Sequence, residues 1–158
     1  MRVTFNDLQG YVGKSMADIC ENGFASAHDN HCAHFVSHVL GITSGLQCGV
    51  MAAKAKDRGV SIRCDEIYNR LATRGLWDGR RALANGTLLF VTSARNVSRG
   101  VMQNVPQKHV GIVFNGSVFN FSNPRHMVIS DPSTDVFHAR FKGLYAGGDI
   151  ALFYGVVP

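Results

Sequence analysis

KHVGIVFNGSVFNFS, residues 108–122, consists of two apolar runs joined by Asn115-Gly116. Asn-Gly is the strongest short hairpin signal, because a type I′ turn needs positive φ at both central residues. With Asn115 and Gly116 as the loop, Phe114 faces Ser117, Gly111 faces Asn120 and His109 faces Ser122. Strand side chains alternate, so His109 and Gly111 share a face with Asn120 and Ser122. Val110, Ile112, Phe114, Phe119 and Phe121 then line the opposite face as core. Asn120 is a diagonal neighbour of His109, within reach of a polar side chain. Gly111 leaves room for Asn120 to lean towards the imidazole. The plain alternative is that the polar face of the hairpin is its solvent face.

Outward from the hairpin, the second half of the chain keeps a strand-like period. Thr87–Thr92 (TLLFVT) reads as a central strand, Met127–Ser130 as a further strand, Pro132–Phe141 as a helix and Ile150–Val156 as the last strand. Ser93–Gln107 is polar and reads as a long loop able to wall a cleft. The first half is helical in pattern instead. Ser15 precedes an apolar face of Met16, Ile19 and Cys20, and Gly23 follows as a stop. Val50–Asp57 holds good helix formers. Cys64, Ile67, Tyr68, Leu71 and Ala72 fit the i, i+3, i+4, i+7 template, closed by Gly75. Helices followed by an antiparallel sheet define an α+β layout, and residues 1–158 are read as one domain.

The most informative helix is NHCAHFVSHVLG, residues 30–41. Phe35, Val36, Val39 and Leu40 form its buried stripe, Asp29 or Asn30 can cap its start, and Gly41 stands at its stop. Cys32 therefore lies in the first turn, where unpaired N–H groups and the helix dipole favour the thiolate, the reactive form. A lone cysteine is more often a small buried hydrophobe. His109, with its polar neighbour Asn120, is what favours a reactive role. His31, His34 and His38 form a competing site, since His34 and His38 at i, i+4 share a helix face that zinc can use. No carboxylate occupies the HExxH position, so a metalloprotease reading is poor. These three histidines are expected at the surface or cleft rim, with no metal and no cofactor. Cys20, Cys32, Cys48 and Cys64 include no CxxC pair, which argues against zinc-ribbon and thioredoxin motifs. Whether Cys48 and Cys64 pair as a disulfide stays open.

Apolar residues make up 46% of the chain and charged residues 17%, which speaks against disorder. The net charge of +5 comes from scattered arginines without a basic block, so generic surface charge outweighs specific nucleic-acid binding. No run is long enough to span a membrane. The opening MRVTFNDLQGYVGKS lacks the apolar core of a signal peptide.

Cysteine at a helix start, ANGTLLF (84–90), and HVGI followed by a turn and a polar residue together resemble the NlpC-like branch of the papain-fold cysteine peptidases. That family opens a helix on a DCSG-like cysteine, follows with a PGDLLFF-like strand and supplies the base from an HVGIY-like strand. Carried over by position, the resemblance implies a papain-like α+β fold with Cys32 as nucleophile, His109 as base and Asn120 as the residue orienting that base. Here HCAH stands for DCSG, and asparagine stands where histidine is commoner. The backbone N–H of Cys32 is a natural oxyanion donor. The second donor is sought within residues 24–31, with Asn30, His31 and Gly111 expected against the substrate. The implied activity is hydrolysis of an amide bond in peptidoglycan stem peptides. Without a signal peptide, the enzyme is expected to reach the periplasm or cell wall by a non-classical route. It would do so as a secreted amidase toxin with a secretion machinery and a cognate immunity protein as partners, or by phage lysis, or by excision from a longer chain. The alternatives are a cytosolic cysteine hydrolase, acyltransferase or deamidase with the same triad, and a non-catalytic anion-binding module in which Cys32 is merely buried.

Overall fold

The computed structural model describes residues 2–146 and 148–158. Helices come first: α1 (Phe5–Tyr11), α2 (Met16–Ile19), α3 (Cys32–Leu40), α4 (Cys48–Met51) and α5 (Cys64–Arg70). The strands β1 (Thr73–Leu76), β2 (Leu88–Ser93), β3 (Val97–Ser98), β4 (Val101–Met102), β5 (Lys108–Phe114), β6 (Ser117–Ser122) and β7 (Met127–Asp131) follow, then α6 (Thr134–Leu144) and β8 (Ile150–Val156). The fold is α+β, with all pairings antiparallel in a six-stranded sheet of order β1-β8-β2-β5-β6-β7.

Local chemistry explains the helix starts. Thr4 and Asp7 form a reciprocal capping box at α1, Ser15 and Asp18 another at α2, and Ser133 caps α6. Gly41 ends α3 in the left-handed conformation. At the β5–β6 turn, Asn115 and Gly116 both have positive φ, 49° and 79°, as a type I′ turn requires. The register that follows pairs Phe114 with Ser117, Ile112 with Phe119 and Gly111 with Asn120.

The sheet is buried on both faces. Phe90, Val110, Ile112, Phe119 and Phe121 pack with Leu8, Phe35, Val36 and Tyr68 of the helical half. Leu89, Val91, Val113 and Val118 pack with Phe137 and Phe141 of α6. Each fully buried Leu or Phe contributes about 1.5–3 kcal/mol relative to exposure, so α6 turns the polar side of the hairpin from a solvent face into an interior one.

Two expected elements differ. Val50–Asp57 is not a helix, since α4 stops at Met51. The Asn22 side chain accepts the Lys56 and Asp57 N–H groups at 2.9 and 3.2 Å. The Cys48 and Gly49 N–H groups donate to Val60 and Arg58 carbonyls. Tertiary hydrogen bonds thus outbid helix propensity. The helix beginning at Cys64 ends at Arg70, and 73–76 is the edge strand β1. The 93–107 excursion carries a 3₁₀ turn at Ala94–Asn96 and the β3–β4 ribbon.

A Cβ built on Gly111 would lie 2.6 Å from Val118 Cγ1 and 2.9 Å from the Phe119 carbonyl oxygen. The second contact is backbone and cannot rotate away. Gly111→Ala is therefore expected to cost about 1–3 kcal/mol of overpacking strain, measured as a lower denaturation midpoint at unchanged m-value.

Candidate active site

Helix α3 packs on β5 and β6, which sets its first residue beside the start of β5. Cys32 is 2% exposed there. Its Sγ lies 3.4 Å from Cys64 Sγ, and the His109 imidazole and the Val110 N–H meet it from β5. Burial alone would push the Cys32 thiol up. The Cys64 S–H hydrogen bond, then the charge and hydrogen bond of His109 and the Val110 N–H, outweigh it and hold the thiol well below the usual range. Cys64 moves the opposite way: it keeps its proton because it donates to Cys32 and because it is buried.

His109 is fixed from two sides. Its ring stacks on Phe141 with centroids 4.4 Å apart and planes 30° apart, and its Nε2 lies 3.0 Å from Asn120 Oδ1. Nε2–H donates to that carbonyl oxygen, which leaves Nδ1 as the nitrogen free to take a proton. Asn120 in turn donates from Nδ2 to the Val118 carbonyl at 3.1 Å and to Asp131 Oδ2 at 3.0 Å. Asp131, 1% exposed, is paired with Arg140 of α6. A buried chain Arg140–Asp131–Asn120–His109 thus ends at Cys32.

Asp131, Arg140 and Cys64 were not legible as site residues from the sequence. Asp131 closes a strand whose register was unknown. Cys64 fitted the apolar stripe of its helix, and only the fold sets that stripe against Cys32.

Asn30 lies at a cleft of about 490 Å³ that also touches His109, Asn120, Gln107, Arg125 and Tyr145. Pro106 and Gln107 at the end of the 93–107 excursion wall it. The helix start differs from the expected one: His31 is the N-cap residue and makes no side-chain cap. Asn30 Oδ1 instead accepts the Cys32 N–H at 3.0 Å, standing where an oxyanion would bind.

The other two residues expected against substrate sit away from the cleft wall. Gly111 is interior, and its missing side chain makes room for Val118, the Phe119 carbonyl and Asn120. His31 is wholly buried. Its backbone N–H donates to Asn123 Oδ1 at 3.0 Å and its Nε2–H to the Ser26 carbonyl at 2.7 Å. Ser122 Oγ accepts the Arg125 N–H at 3.3 Å, which occupies it in the turn after β6.

The expectation of surface or rim histidines fails for His31 and His34, whereas His38 lines a pocket beside Asn22 and Lys56. His34 is wholly buried and His38 half-buried. Burial, then the charges of His38 and His31, push His34 down to about 3, so its imidazole is neutral. These two face Cys20 and Cys48, not Cys32. Cys48 and Cys64 belong to different sulfur pairs, Cys48 with Cys20 and Cys64 with Cys32, and all four thiols are free.

Models of known protein families, curated proteins and solved structures give no match to this chain. Among the described residues no helix is long and apolar enough to cross a membrane.

Removing Arg140 would leave the buried Asp131 carboxylate with the Asn120 amide as its remaining side-chain partner. Arg140→Met is therefore expected to destabilise the fold by about 3 kcal/mol. Asp131→Asn with Arg140→Met should restore part of that loss, and a double-mutant cycle of denaturation free energies measures the coupling.

Proposed function

We propose that this chain is a papain-like cysteine hydrolase of the NlpC type that cleaves an amide bond in peptidoglycan stem peptides. The observation that carries the chemistry is a cysteine at a helix start, Cys32, beside Cys64 and a histidine whose far nitrogen is held by an asparagine; the lowering of its thiol agrees with that geometry. The peptidoglycan substrate is carried by the resemblance of ANGTLLF and HVGI to that family. A cleft lined by Leu144, Tyr145 and Arg125 suits a peptide bearing a free carboxylate. Such a substrate puts the site of action in the periplasm or cell wall and makes a secretion machinery and an immunity protein the partners to seek.

In this mechanism His109 Nδ1 takes the Cys32 proton, and the thiolate attacks the substrate carbonyl carbon. The resulting oxyanion displaces Asn30 Oδ1 from the Cys32 N–H. Rotation of the Asn30 amide then offers Nδ2 as the second donor. The imidazolium gives its proton to the departing amine, leaving an acyl thioester on Cys32. Water, deprotonated by His109, attacks the thioester, and the collapsing intermediate releases the acid and a thiolate that regains its proton from His109. Asn120 holds the ring in the productive tautomer throughout and stabilises its cationic form.

Incubation with purified peptidoglycan fragments and mass analysis of the products tests this reading and names the bond. The expected result is a stem peptide split with addition of one water. Cys32→Ala and His109→Ala should each lower turnover by ~10⁴-fold or more, and the double variant little further, because the two act as one unit. Asn120→Ala should cost ~10- to 1000-fold, less than either. Failure of the wild-type protein to cleave, or equal cleavage by a folded Cys32→Ala protein, overturns the proposal.

Asn30 has its own signature. Losing an oxyanion donor lowers kcat with little change in KM, so Asn30→Ala should reduce kcat by ~100-fold. A faster Asn30→Ala enzyme would instead mean that the side chain only obstructs the Cys32 N–H.

A further inference from the structure

Cys20 follows the last turn of α2, His34 and His38 lie one turn apart on α3, and Cys48 opens α4. Their sulfur and ring-nitrogen atoms all lie within 4.8 Å of one another. The two sulfurs are 3.8 Å apart and the two Nε2 atoms 3.1 Å apart. A tetrahedral zinc with bonds of about 2.3 Å to sulfur and 2.05 Å to nitrogen separates its sulfurs by about 3.8 Å and its nitrogens by about 3.3 Å. A disulfide needs about 2.05 Å, so the sulfur spacing is that of two ligands on one ion.

The surroundings are built for ligation. The Ser26 carbonyl accepts His31 Nε2–H at 2.7 Å, which leaves His31 Nδ1 as an acceptor for His34 Nδ1–H at 3.0 Å. That relay fixes the His34 tautomer and points a bare Nε2 lone pair into the cluster, the outer-sphere arrangement of metal-bound histidines. Cys48 Sγ accepts the Val60 N–H at 3.4 Å and lies 3.8 Å from Asn22 Nδ2. Such contacts support a thiolate. The backbone closes on this sulfur so tightly that a Cβ at Gly59 would lie 2.2 Å from it.

We propose that Cys20, His34, His38 and Cys48 bind one Zn²⁺ tetrahedrally as a structural site. Two thiols and two imidazoles are the donor set and geometry that favour zinc, and four protein ligands leave no open position for catalysis. Zinc forms two Zn–S and two Zn–N bonds and releases two protons to solvent, one from each thiol. His38 keeps its single ring proton on Nδ1, and the assembled site is neutral. The ion would tie α2 and the irregular 41–63 segment to α3, where regular hydrogen-bonded structure is sparse, and ligation there adds directly to folding free energy. The inference is independent of the hydrolase reading.

The full chain, purified without a metal-binding tag, is tested by elemental analysis and then by cobalt substitution. The expected result is about one zinc per chain. Cobalt should give tetrahedral d–d bands together with sulfur-to-cobalt charge transfer. Cys32→Ala and Cys64→Ser should keep the full equivalent, whereas Cys48→Ser and His34→Gln should lose it. Should those two variants fail to fold, chelated wild-type protein titrated with zinc should release two protons per ion and regain its thermal midpoint. A wild-type protein with no bound zinc that takes up none on titration overturns the proposal. So does a Cys20–Cys48 disulfide in protein prepared under reducing conditions, or undiminished zinc in Cys48→Ser.

Discussion

The side-chain amide of Asn120 lies between the sheet and α6, where burial leaves its polar atoms dependent on protein partners. Its oxygen accepts from His109, and its nitrogen donates to Val118 and Asp131. An unmet buried polar group costs more than a hydrogen bond gains, so each partner is constrained in turn. Asp131 needs a cation, and α6 brings Arg140 to it. The same helix brings Phe141 to stack on His109. The position of α6, the β6–β7 register and the orientation of the imidazole are therefore one problem with one solution. A slip of one residue in any of these strands would exchange a polar chain for an apolar face. The hairpin can carry a histidine and an asparagine in its interior because the whole chain to Arg140 is satisfied.

What the sequence makes legible is what local chemistry decides. Asn115-Gly116 fixes a turn type, the turn fixes the register, and the register sets Asn120 diagonal to His109 without any long-range information. The stripe of α3 and its Gly41 stop are equally local. Illegible features depend on distant partners. β1 is four residues of mixed polarity that become a strand because β8 pairs with them. The 50–57 stretch has the composition of a helix but is held open by the Asn22 side chain. Helix α1 is hard to read in the sequence although Thr4 and Asp7 carry its capping box, because its short apolar pattern is weak. Asp131 and Cys64 could not be assigned to the site until β7 and α5 had been placed.

The three histidines of NHCAHFVSHVLG show the same limit from another side. Spacing put His34 and His38 on one face of α3, but whether that face was wet depended on α2 and the 41–63 segment. Those segments cover it with two sulfurs drawn from elements 28 residues apart. Burial then changes the meaning of the histidines. Burial pushes both imidazoles, wholly buried His34 and half-buried His38, down towards the neutral form.

Helix α3 thereby stands between two sulfur clusters, Cys32 with Cys64 and Cys20 with Cys48. At 100° per residue, His34 and His38 lie about 200° and 240° around the axis from Cys32, so the helix itself stands between the two clusters. On the Cys32 side there are two sulfurs and one imidazole, and that imidazole is committed to Asn120 at its far nitrogen and stacked on Phe141. On the other side four donors converge with their outer partners in place, and an ion bound there would take one lone pair from each of the four ligand atoms. A metal drawn to the Cys32 side would compete with any other electrophile for the Cys32 thiolate. A second site with a full S₂N₂ set is the stronger competitor for any zinc that reaches the chain. His31 joins the two: its ring orders His34, and its carbonyl accepts the Phe35 N–H in the first turn that carries Cys32. Ligation behind the helix would thus stiffen the first turn, which carries Cys32, without placing a positive charge beside it.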